Sequence, residues 1–167
     1  GQDLTIFDEK ARKKILPKVI EPTFGMERVF LALLTKAYSK NEKGETVLKL
    51  PAKISPVKAA IFPIVKRPEF EKIARDIFDS LKGEFNVSYD SSGSVGRRYA
   101  RNDEIGTPYC ITVDGDSVKG KDATIRLRDT TEQIRVKIKD IRDAIKKWVE
   151  GEDIRKLGKI VNTKRTQ

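Results

Sequence analysis

Three short stretches of this sequence carry residues able to do chemistry. In Val19-Ile20-Glu21-Pro22-Thr23-Phe24-Gly25-Met26-Glu27-Arg28-Val29-Phe30 an apolar run meets a carboxylate, then a glycine, then an arginine in the first turn of a predicted helix. Helix N-termini favour anions, and a guanidinium there adds a bidentate phosphate ligand. Glu21, at the end of the predicted strand, suits a cation such as an ammonium group. A plain strand-turn-helix with solvated charges would read the same way. The second stretch, residues 90–109, offers a glycine loop, then Arg97, Arg98 and Arg101, then Asp103 and Glu104. Arginine clamps phosphates or stacks on bases, and acids accept hydrogen bonds from cytosine amino groups. The competing reading pairs those arginines with the two acids on a solvated helix. The third stretch, residues 124–135, alternates apolar residues with Arg126, Arg128 and Arg135.

Elsewhere the chemistry is bounded by what is missing. The 167 residues contain no histidine and one cysteine, Cys110. Ser-His and Cys-His devices, His-ligated metals and an intrachain disulfide are therefore excluded within this chain. No run of about 18 apolar residues exists to span a membrane, and the polar opening does not read as a signal peptide. These features point to the cytoplasm. Lys and Arg number 35 against 25 Asp and Glu, for a formal charge of +10, which suits a polyanionic partner or simply a soluble surface. Gly93-Ser94-Val95-Gly96 fits the bare GXXG loop of KH domains, but four residues match too readily by chance. A Walker loop fails, because no Gly-Lys-Ser/Thr closes it.

Those residues need elements to hold them. Val29, Phe30, Leu33, Leu34 and Ala37 lie on one helical face in a region running to about residue 40. Residues 41–53, with Asn41-Glu42-Lys43-Gly44 and Pro51, read as a turn and linker. Strands and helices then alternate, an α/β pattern. Residues 59–65 are a buried strand with Pro63 near its end. Pro68 opens a helix striped by Phe70, Ile73, Ala74, Ile77, Phe78 and Leu81, which Gly83 stops. Residues 85–89 are a short strand, 94–101 a helix, and 108–114 a strand with Tyr109, Ile111 and Val113 on one face. Residues 123–128 and 133–138 form an antiparallel hairpin, apolar on one side and basic on the other. Ile141, Ala144, Ile145, Trp148 and Val149 mark a closing helix ended by Gly151, with Trp148 and Cys110 in the core. Residues 151–167 are expected as a tail, with a short helix and a basic end at Lys164-Arg165.

The first stretch resembles motif 3 of class II aminoacyl-tRNA synthetases, in the glycine-specific form Glu-Pro-Ser-Phe-Gly followed shortly by Arg. Residues 93–106 resemble the Gly-Ser-Ile-Gly-Arg-Arg-Tyr-Ala-Arg-x-Asp-Glu-Ile-Gly block of glycyl-tRNA synthetases, and residues 124–135 the Thr-Leu-Arg-x-Arg-Asp-Ser-x-x-Gln-Ile/Val-Arg segment. The matches run in order from about Lys18 to Trp148. Thr23 stands where serine is usual, adding a methyl group to a small pocket, and Glu27 fills a variable position.

The resemblance implies residues 1–40 as the end of a catalytic domain, a linker over 41–53, an anticodon-binding domain over 54–150 and a tail over 151–167. It implies a mixed central sheet with flanking helices, preceded by a strand-helix remnant of the catalytic domain. Glu21, Pro22, Thr23, Phe24 and Gly25 would line the glycine pocket, and Gly25, Met26, Glu27 and Arg28 would border ATP. Arg97, Arg98, Arg101, Asp103, Glu104, Arg126, Arg128 and Arg135 would bind the anticodon of glycine tRNA, whose second and third bases are cytosine. The parent enzyme, expected as a homodimer using ATP with Mg2+, activates glycine and transfers it to tRNA. Motifs 1 and 2 do not precede motif 3, so the chain by itself is expected to be a fragment that does not aminoacylate. The alternatives are a stand-alone, non-catalytic nucleic-acid module, such as the synthetase-like polymerase accessory subunit, and a structural or regulatory subunit.

Overall fold

The computed structural model of the chain describes residues 1–153 and 158–161. Two compact units form, Gly1–Ala32 and Leu33–Gln167.

In the first, β1 (Ile6–Asp8) pairs antiparallel with β2 (Lys13–Ile15). Asp8 Oδ1 closes the turn by accepting from the backbone N–H groups of Lys10 and Ala11. Helix α1 (Met26–Ala37) starts directly after Gly25. The strand expected at Val19-Ile20 does not form, and both side chains are exposed. A strand persists where a neighbour takes its N–H and C=O groups, and none pairs with these residues among those described.

Helix α1 ends at Ala37, the last residue of its stripe, where the chain turns into a hairpin. Strands β3 (Tyr38–Lys40) and β4 (Thr46–Leu48) pair antiparallel. Residues 41–53 are thus not a plain linker. The turn at 41–44 is where expected, but Val47 and Leu50 are buried. Burying those two side chains favours a seated hairpin over a solvated tether.

The main sheet has six strands in the order β10-β9-β8-β7-β5-β6, with β5 at Ala59–Pro63, β6 at Val87–Tyr89 and β7 at Tyr109–Val113. Strand β5 pairs parallel with both β6 and β7. It is buried along its whole length and Pro63 is its last residue, where a missing N–H disturbs the ladder least. The β5-to-β6 crossover carries α2 (Pro68–Leu81), with proline at its start. The β6-to-β7 crossover carries α3 (Val95–Glu104) back past β5. Crossovers of the same right hand running in opposite directions put their helices on opposite faces. Hence α2 packs Phe70, Ala74, Ile77 and Leu81 on one face, and α3 packs Val95 and Tyr99 against Ala60, Phe62 and Cys110 on the other.

Strands β8 (Asp122–Leu127) and β9 (Gln133–Lys137) form the expected antiparallel hairpin, and β8 also pairs antiparallel with β7. The side chains of Ile125, Ile134 and Val136 join the α2-side core. Helix α5 (Ile141–Glu150) covers that core with Ile141, Ala144, Ile145 and Trp148. Gly151, at φ 100°, ends α5 by donating its N–H to Lys147 O and Trp148 O. The short α4 (Gly115–Gly120) had no apolar stripe to announce it; Asp114 and Ser117 form a reciprocal capping box at its start.

Residues 159–161, expected within a helical tail, form the edge strand β10 (Lys159–Val161) against β9. A three-residue segment next to an open sheet edge satisfies its backbone by pairing rather than by starting a helix. The rest of the tail expectation, including Lys164-Arg165, falls largely outside the described residues.

Candidate nucleic-acid interface

The β8–β9 register brings Thr124 opposite Arg135 and Arg126 opposite Gln133. The basic face foreseen from the alternation therefore exists, but α3 lies on that side of the sheet and much of the positive charge is matched internally. Arg126 donates through Nη1 and Nη2 to the two carboxylate oxygens of Asp103, at 2.8 and 2.9 Å. Its guanidinium also lies 4.8 Å from the centroid of the Tyr99 ring, a cation–π arrangement. The Tyr99 hydroxyl in turn meets Thr112 Oγ1 at 2.7 Å. Burial works against the charge on Arg126, but the Asp103 carboxylate outweighs it and raises the pKa.

Two further arginines act inside the fold. Arg98 is 2% exposed and donates to Pro63 O, Ser92 O and Gly93 O. It thereby ties the glycine loop and α3 to the end of β5. Arg128, 4% exposed, donates to Gly106 O, Leu50 O and Asp129. Gly106 sits at φ 82°, and a Cβ there would lie 3.0 Å from Leu48 O. Only glycine fits that backbone turn beneath β4 without strain. Arg128 and Gly106 together seat the β3–β4 hairpin.

Arg135 bridges Asp114 and Asp122, at 2.5 and 2.7 Å. Burial opposes the charged form of Asp114, but Arg135 and Ser117 overcome it and lower the pKa. Arg101 pairs with Asp90 and donates to Ser92 O and Ser92 Oγ. Asp90 follows the same pattern: burial pushes up, and the Ser92 and Arg101 hydrogen bonds more than compensate. Arg97 and Glu104 are exposed, and their side chains make no hydrogen bond or ion pair among the described residues.

Four of the sequence candidates, Arg97, Asp103, Arg126 and Arg128, line one cleft of about 740 Å³. Arg98, Arg101, Glu104 and Arg135 do not line it. Opposite Arg97 the wall is the β3–β4 hairpin, with Lys40, Asn41, Lys43 and Lys49. The sequence reading missed these residues. A signal existed in Tyr38-Ser39-Lys40 and Thr46-Val47-Leu48 flanking an Asn-Glu-Lys-Gly turn, a hairpin pattern. Two arginine–carboxylate pairs, Arg126–Asp103 and Arg128–Asp129, cancel at the floor. Lys40, Lys43, Lys49 and Arg97 then stand against Glu42 and Glu45, a net positive surface fit for phosphate.

In the first unit, residues 21–28 are all exposed. Gly25 O accepts the Val29 N–H, so the free amides of α1 begin at Met26, with Arg28 in the first turn. The aliphatic part of Arg28 comes within 3.7 Å of where a Gly25 Cβ would stand. No helix among the described residues is long and apolar enough to cross a membrane.

Residues 58–148, more than half of the chain, match the anticodon binding domain family. The chain belongs to that family. It is 49% identical over 149 residues to a glycine–tRNA ligase from Rhodopirellula baltica, covering 84% of this chain and 28% of that protein. It is 45% identical over 154 residues to the glycine–tRNA ligase of Clostridium beijerinckii, covering 90% of this chain and 33% of the relative. It thus spans about a third of the length of these curated relatives. Two solved structures of prolyl-tRNA synthetase from Cryptosporidium parvum share the fold. One, with halofuginone and AMPPNP, has TM-score 0.58 at 24% identity over 62% of this chain and 22% of that one. The other, with L-proline and AMP, has TM-score 0.59 at 21% identity over 68% and 31%.

Proposed function

We infer that this chain is the anticodon-reading part of a glycine–tRNA ligase. It grips the anticodon arm of glycine tRNA, and the longer protein activates glycine with ATP and transfers it to the tRNA 3′ end. The observation that carries this reading is the cleft. It presents unpaired cations on its walls above a floor of paired arginines and aspartates, in a chain 45–49% identical to glycine–tRNA ligases over 149–154 residues. Phosphates supply affinity and side chains on splayed-out bases supply choice. Arg97 is the sequence candidate that both lines the cleft and keeps its guanidinium exposed; Glu104 is an exposed acid able to accept from a cytosine amino group. Arg98, Asp103, Arg126 and Arg128 act by holding the frame, and Arg135 and Arg101 by local pairing.

Residues 1–40 are assigned to the end of the catalytic domain, 54–150 to the anticodon-binding domain and 151–167 to a tail. Glu21, Pro22, Thr23, Phe24 and Gly25 border glycine in the parent. Gly25, Met26, Glu27 and Arg28 border ATP, which arrives with Mg2+. The exposed amides at the start of α1 and the Arg28 guanidinium suit a polyphosphate. The parent is a cytoplasmic homodimer on this reading.

The test is fluorescence anisotropy with glycine tRNA and with the same tRNA carrying one anticodon cytosine replaced, at moderate salt. Preference for the native anticodon by roughly tenfold or more, the scale of one good base contact, and weaker binding by Arg97→Ala are expected. Equal binding to both tRNAs would indicate a non-catalytic nucleic-acid module instead. No binding to either would overturn the assignment to RNA.

A further inference from the structure

The β3–β4 hairpin is built as a wall and not as a tether. Asn41 organises its turn: its N–H donates to Glu45 O, its Oδ1 accepts from the Lys43 and Glu45 amides, and its Nδ2 donates to Glu45 Oε2. Gly44 completes the turn at φ 78°. Below the turn, Val47 and Leu50 are buried, and Arg128 fixes Leu50 O. Such a turn fixes where its side chains leave the backbone before any ligand arrives, which lowers the ordering cost of binding.

Three of those side chains are lysines. Lys40, Lys43 and Lys49 line the same cleft as Arg97, and their ammonium groups make no ion pair or hydrogen bond among the described residues. Of the acids on this wall, Glu45 is occupied by Asn41 and Glu42 stands alone. Lysine is a compact, strongly hydrated point charge that suits phosphate oxygens rather than flat, bidentate base recognition.

We propose that the β3–β4 hairpin is a backbone clamp: Lys40, Lys43 and Lys49 hold the phosphates of the RNA strand whose bases face Arg97. This rests on the tRNA reading above and adds a division of labour within it. The hairpin supplies sequence-independent affinity, and the α3 wall supplies choice.

The experiment uses the full chain with the combined Lys40→Ala, Lys43→Ala and Lys49→Ala variant, and its counterpart with all three lysines changed to arginine. Binding to glycine tRNA and to the anticodon-altered tRNA is followed from low to moderate salt. Each phosphate contact on a single strand contributes about 0.7 to the slope of log K against log salt. The alanine variant should therefore show a slope shallower by roughly 2, and binding weaker by roughly tenfold near physiological salt. Its preference between the two tRNAs should stay as in the parent chain, and the arginine variant should restore affinity. Unchanged affinity and slope in the alanine variant, while the parent chain binds and discriminates, would overturn the clamp and leave the tRNA reading intact. Loss of discrimination together with affinity would also overturn it, since the lysines would then be reading bases. If the parent chain binds neither tRNA, the tRNA reading has failed and the clamp with it.

Discussion

The Arg126–Asp103 pair gives the sharpest test of how the cleft floor is held. Both side chains are largely withdrawn from water, 12% and 6% exposed, and two hydrogen bonds of 2.8 and 2.9 Å join them. Asp103→Asn keeps the shape but removes the negative charge and turns one oxygen into a donor facing a guanidinium. Removing one partner of a buried pair typically costs about 3–5 kcal/mol, because the other charge is left uncompensated. The Tyr99 ring 4.8 Å from the Arg126 guanidinium still offers the cation a partner worth about 0.5–2 kcal/mol. The expected loss is thus near the lower end, about 3 kcal/mol. In urea unfolding, where slopes for small proteins run at about 1–3 kcal/mol/M, the midpoint should fall by roughly 1–3 M. The double variant Asp103→Leu with Arg126→Met removes both charges and should recover most of that loss. The reasoning is refuted if Asp103→Asn costs less than about 1 kcal/mol, or if the two single effects add to within about 0.5 kcal/mol, as independent sites do.

Three further outcomes follow from particular residues. Gly106→Ala forces a Cβ to 3.0 Å from Leu48 O at φ 82° and should destabilise by about 1–3 kcal/mol; an unchanged thermal midpoint would contradict this. The lowered pKa of Asp114 stabilises the fold above the ordinary value of 3.8, and that contribution is lost as pH falls through 3.8 and below. The stability gap between the parent chain and Asp114→Asn should therefore narrow from about pH 6 to about pH 3, and a gap that widens on acidification would reverse the sign. Burial pushes the Cys110 thiol up to about 12, so it should resist an aromatic disulfide reagent at about pH 8 in the folded chain and react fully in urea.

The parts of the fold that could be read from sequence are those where burial imposes a period. The alternation in 123–128 and 133–138 located β8, β9 and their shared face, and the stripe from Phe70 to Leu81 located α2. Elements held by caps, or too short for a repeat to build up, had no such period. The helix α4 depends on the Asp114–Ser117 box, and β3, β4 and β10 are three residues each. The arginines show the same limit. Alternation placed Arg126 and Arg135 on the polar face of the sheet, but α3 and three aspartates, Asp103, Asp114 and Asp122, also lie there. Only the packed chain distinguishes Arg97, open to solvent, from Arg98 one residue later, almost wholly enclosed.

The enclosed arginines also bear on the order in which the chain closes. Arg98 reaches Pro63 across 35 residues of sequence, and Arg128 reaches Leu50 across 78. Contacts spanning such loops require the intervening chain to be gathered first, and guanidinium groups meet their carbonyls only after the strands have paired. Contacts of this kind are expected to form late in folding, after neighbouring strands and helices have come together. Interactions absent from the transition state act on the unfolding rate. Arg98 and Arg128 are therefore expected to work as latches, setting how long the domain stays shut more than how fast it assembles.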